Sequence, residues 1–157
     1  MPGRCRMSAA CLLVAVIGTV AMIGTIVKLK AQLAVTRQQC AIAYLVKAGA
    51  GVVRVNDDKG KYYNVHLSMC ETCKTNDELL CYVADIDNVA VLVLAPVPLH
   101  EAGRNSLFRL KGLASISVPV TDTGISRESY AELSREMKLR NPDIFIQAAD
   151  EGSKPLE

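Results

Sequence analysis

The sequence predicts an α/β chain in which an N-terminal apolar helix is followed by a small solenoid of strand-plus-helix units. Three observations carry that expectation. Short apolar strand cores recur as Val65-His66-Leu67, Leu92-Val93-Leu94, Ile116-Ser117-Val118 and Ile144-Phe145-Ile146, with last positions 27, 24 and 28 residues apart. A period of that size marks a stack of supersecondary units. No charged residue occurs between Ser8 and Val27. Aromatic residues are scarce, with two Phe, five Tyr and no Trp, so the core must be aliphatic and little is left to stack on bases. The formal charge of +2 gives no pull toward nucleic acid.

After a tail at 1–7, the 20 residues from Ser8 to Val27 predict a transmembrane helix, since about 20 apolar residues cross the hydrocarbon core. Arg4 and Arg6 precede the run and Lys28 and Lys30 follow it, so both ends can anchor in headgroups. No A-x-A cleavage pattern precedes Lys28-Leu29-Lys30, which favours a retained anchor over a removed signal peptide. The expected location is the cell membrane, single-pass, with the following domain on the extracytoplasmic side.

Residues 28–48 contain no Gly or Pro, and Leu29, Leu33, Cys40, Tyr44, Leu45 and Ala48 recur at helical spacing. A connecting helix is expected there, ended by Gly49 and Gly51. A domain over 49–146 follows. It opens with a cap hairpin over 52–65, in which Val52-Val53-Arg54-Val55 and Lys61-Tyr62-Tyr63-Asn64-Val65 flank a turn-forming cluster at 56–60. Asn56, Asp57 and Asp58 are consecutive and no Glu follows at the twelfth position, so turn chemistry explains them better than a calcium loop.

About three repeats are expected over 65–146. With Leu94 as origin, Val97, Leu99, Leu107, Leu110, Leu113, Ile116 and Val118 fall at offsets 3, 5, 13, 16, 19, 22 and 24. Read backward, the ladder gives Leu92, Val89, Ile86, Val83 and Leu80. Thr75-Asn76-Asp77-Glu78 has the form of a capping box for one repeat helix, and Ser126 is placed to cap another. That helix extends from Arg127 to Leu139, before Asn141-Pro142 stops it. The polar stretch at 147–157 reads as a flexible tail.

The segment Val89–Leu113, followed by Ala114–Ile125 with its Val120-Thr121-Asp122-Thr123-Gly124-Ile125 piece, resembles bacterial membrane-anchored leucine-rich repeat proteins. Ala41–Val55 is similar to the lead-in helix and hairpin of such proteins. The resemblance implies binding through a curved surface, usually to protein, with no catalytic residues to carry over.

The function expected from these residues is therefore non-enzymatic, without a cofactor: a membrane-anchored module that binds a protein partner. Side chains beside the strand cores, His66, Val93, Ser117 and Phe145, are the candidate contacts. The alternative is thiol-redox or metal chemistry at Cys70-x-x-Cys73, a spacing at which two thiolates can chelate a metal or cycle as a disulfide. One such pair supplies two of the four ligands of a structural zinc site, so Cys40, Cys81, His66 or His100 would have to join it. Loop cysteines or a structural disulfide are the plainer explanation. No G-x-S-x-G elbow supports a hydrolase.

Overall fold

The computed structural model describes residues 9–58, 60–70 and 73–150, with the backbone alone at 9–18, 21 and 150. The chain divides into two compact units, residues 1–37 and 38–157. The boundary falls inside one long helix, α1 (Ala9–Lys47). Its C-terminal end is closed by Gly49 at φ 90°. The Ala50 N–H donates to the Leu45 carbonyl at 2.9 Å and the Gly49 N–H to the Val46 carbonyl at 3.0 Å, the paired bonds of a Schellman cap.

The second unit is built on one five-stranded mixed sheet in the order β1-β2-β3-β4-β5. Strands β1 (Gly51–Asp57) and β2 (Gly60–His66) form an antiparallel hairpin in which Asp57 pairs with Gly60. Gly60 sits at φ 123°, which closes so short a loop without the strain a Cβ would bring. The remaining strands run parallel to β2: β3 (Val89–Val93), β4 (Ser115–Val120) and β5 (Phe145–Asp150). They are joined through α2 (Asn76–Val83), α3 (Glu101–Leu107) and α4 (Arg127–Arg140).

The core lies on one face of this sheet. Val65, Leu92 and Ile116 are aligned across neighbouring strands and fully buried. They share one apolar cluster with Leu79, Leu80 and Val83 of α2, Leu107 of α3, and Leu133 and Met137 of α4. Ala41 and Leu45, from the last turns of α1, join the same cluster. Strand β4 gives the alternate residues Ile116 and Val118 to the core, as a half-covered sheet requires.

Several expectations need correction. The α/β class stands, but the leucine-rich-repeat solenoid does not. The chain forms a single mixed sheet whose parallel connections carry helices of 8, 7 and 14 residues. Units so unequal are not the equivalent stacked repeats of a solenoid. The recurring spacing instead tracks the buried face of one sheet.

The transmembrane helix over Ser8–Val27 is also corrected. Among the described residues, no helix is long and apolar enough to cross a membrane; Ser8 itself lies outside them. The apolar run does not end as a separate span. It continues through Lys28, Lys30, Gln32 and Arg37 in the same helix. The single-pass cell-membrane location, and with it the extracytoplasmic domain, is therefore unsupported. The expected connecting helix at 28–48 is part of α1 as far as Lys47, and the first residues of the expected tail, from Gln147, belong to β5.

Candidate partner-binding face

Strand register brings the candidate contacts together. Opposite the core, Gly51, His66, Val93, Ser117 and Gln147 are paired in one row across all five strands. Val53, Asn64, Val91, Ser115 and Phe145 form the next row. His66, Val93 and Ser117 thus share a row, and Phe145 lies in the adjoining one on the same face. Phe145 is 62% exposed and Val53 53%, whereas the central valines and serines are half-buried among their neighbours.

Three features give this face its character. None of these ten positions is Asp, Glu, Lys or Arg, although 22% of the chain is charged. Such a surface offers no formal charge to attract a counter-charged ligand. The Asn64 side-chain oxygen is buried without a hydrogen-bond partner, a state that costs free energy. At the margin, Met69 is 63% exposed, and its Sδ lies 3.0 Å from where a Cβ on Gly51 would stand. The glycine therefore lets this soft, adaptable side chain lie against the sheet.

The segment that follows the carboxyl end of β3 is clasped by side chains of α2. Asn76 is fully buried; its amide donates to the carbonyls of Ala95 at 3.0 Å and Val97 at 2.8 Å, and its oxygen accepts from the Ala95 N–H at 3.0 Å. Asp77 accepts from the His100 N–H at 3.0 Å and the Gly103 N–H at 2.6 Å, with the His100 ring Nδ1 also at 3.0 Å. This carboxylate caps α3 from outside its own sequence. Burial alone would raise the Asp77 carboxyl, but the bonds from His100 and Gly103 outweigh it and hold the group below its ordinary range. Gly103 makes the approach feasible, because a Cβ there would stand 2.9 Å from the Asp77 oxygen and 2.5 Å from Leu99 Cδ1. These contacts fix β3 and α3, and hence Val91 and Val93, in register.

Cys70 and Cys73 are joined in a disulfide, placed between a 3-10 turn at Leu67–Met69 and α2. Cys70 is buried. The other proposed ligands are not gathered around the pair. Cys81 donates to the Glu78 carbonyl at 3.0 Å, His100 is engaged by Asp77, and His66 stands on the open sheet face. Among the described residues, no group of three or more His, Cys, Asp or Glu is placed to hold a metal ion. Burial pushes the Cys81 thiol up, which lowers its thiolate fraction and its reactivity toward disulfides.

Comparison with protein-family models, curated proteins and solved structures finds no match.

Asn64, Val91, Ser115 and Gln147 were missed among the candidate contacts. The signal was available, since each lies two residues from a named candidate along a strand, and period-two alternation puts such residues on one face. Val53 and Met69 depend on hairpin register and on a tight turn, which strand patterning does not report.

Proposed function

We propose that this chain is a non-enzymatic protein-interaction module whose partner docks on the face of the sheet opposite α2, α3 and α4, across His66, Val93, Ser117 and Phe145. The observation that carries the reading is the absence of any charged residue from ten paired positions on a face where Val53 and Phe145 stand exposed. The cores of protein interfaces are depleted of charge and rich in apolar and aromatic contacts.

Site-specific photocrosslinking tests this. A photoreactive residue in place of Val93 or Ser117 should give one discrete adduct, and the protein in that adduct should bind the purified chain. The same residue in place of Leu139, 79% exposed on α4, should give none. Adducts at Leu139 but not at the sheet positions would exclude the face.

A second reading, thiol exchange at Cys70 and Cys73, is favoured only by their closed disulfide. Under the docking proposal, a Cys70→Ser, Cys73→Ser double variant that remains folded retains partner binding. Loss of binding with folding intact would favour the thiol.

A further inference from the structure

The first unit presents a different surface. Among the described residues of α1, Val20, Met22, Ile23, Ile26, Val27, Leu29, Leu33 and Val35 are each more than half exposed. Several of them are β-branched, which lowers intrinsic helix propensity, and a helix with such residues draws most of its stability from packing an apolar face. The spacing shows which face. Thr19, Met22, Ile26, Leu29, Leu33 and Thr36 recur at alternating steps of three and four, the seam of a two-stranded coiled coil. The adjacent stripe through Val20, Ile23 and Val27 runs into Lys30 and Arg37.

We infer that this seam packs against the same seam of a second copy of the chain, as a parallel helix pair. Ile26 and Leu33 occupy a positions and Met22 and Leu29 d positions; the central Ile26 and Leu29 are the Ile-at-a, Leu-at-d combination that favours two parallel strands. Thr36 enters the seam with its hydroxyl already satisfied, since it donates to the Gln32 carbonyl at 2.9 Å.

Charge selects the orientation. Lys30 and Arg37 fall at e positions, and no carboxylate occurs in α1 to neutralise them. An antiparallel pair would set e against e and bring cations together. A parallel pair sets g against e of the partner, placing Thr25 beside Lys30 and Gln32 beside Arg37, where a neutral amide oxygen can accept from the guanidinium. This self-association uses residues 19–36 and does not depend on docking at the sheet face.

Sedimentation equilibrium on the full chain, without detergent, tests it. The expected species is a dimer whose dissociation constant rises at least tenfold in Leu29→Asp and Leu33→Asp. Val27→Asp and Val35→Asp place the same charge on equally exposed positions off the seam and should leave the dimer intact. A Thr36→Cys chain should form a covalent dimer on oxidation beyond that of the unaltered chain. Monomer at every concentration, equal loss from the seam and off-seam variants, or a monomer recovered on phosphatidylcholine vesicles would overturn the inference. Failure of Thr36→Cys to cross-link would overturn the parallel arrangement.

Discussion

The two faces of the sheet are made from adjacent residues and have opposite fates. Leu92 is fully buried under the helices while Val93, the next residue, faces the other way; Ile144 is 4% exposed and Phe145 62%. All are apolar, so hydrophobicity alone does not separate them. What separates them is the connecting helices α2, α3 and α4, which give their buried apolar residues to the Leu92 side. One face is occupied by the chain's own connections, and the other is available to something else. An apolar residue on the first face is expected to hold the fold, and an exposed one on the second to be exchangeable without unfolding the protein.

The largest effect expected from breaking this comparison is in the core. Leu92→Ala should cost about 2–5 kcal/mol, as deletion of a fully buried leucine does, and lower the urea midpoint accordingly. Phe145→Ala should change stability by no more than about 0.5 kcal/mol, the usual range for exposed sites. A comparable loss from Phe145→Ala would mean that the two faces are not distinct.

Asn76→Ala comes next. It removes three side-chain hydrogen bonds to the Ala95 and Val97 backbone and leaves buried polar groups unpaired, at roughly 1–3 kcal/mol. Amide exchange should rise first at Ala95 and the start of α3, because the clasp holds that segment.

The smallest effect is a pH dependence at Asp77. Its carboxyl is held below the ordinary value of 3.8, so the unfolded chain takes up the proton first as pH falls. Its stabilising contribution is fully present above that value and is lost as pH falls through the lower, folded value. Asp77→Asn should therefore differ from the unaltered chain at neutral pH, with the gap shrinking in acid. A gap that widened in acid would reverse the sign of the linkage.

How much of this was legible follows from which interactions are local. The ladder Leu80, Val83, Ile86, Val89, Leu92 names residues that are all buried, since spacing records which side of an element faces inward. It does not record whether successive units stack as equals, and here the connecting helices differ too much for that. Period-two alternation placed His66, Val93, Ser117 and Phe145 on one face, but not their partners across the hairpin.

The clasps were misread for a related reason. Thr75 and Glu78 resemble a local cap, yet Thr75 makes no side-chain capping bond, while Asn76 and Asp77 reach backbone 19 to 26 residues ahead. Bonds of that range leave no periodic trace. Ser126, by contrast, accepts from the Ser129 N–H at 3.2 Å, a contact within the range that local patterning describes. The run from Ser8 to Val27 looked self-contained by composition alone, because nothing between Val27 and Lys28 breaks a helix and α1 simply continues.

The most direct measurement is the affinity of the photocrosslinked partner for a Val93→Asp chain, taken beside the urea midpoint of the same variant. Docking on the open face predicts at least a tenfold weaker dissociation constant, about 1.4 kcal/mol, with cooperative unfolding retained. An unchanged affinity would contradict it and leave the uncharged face without a partner.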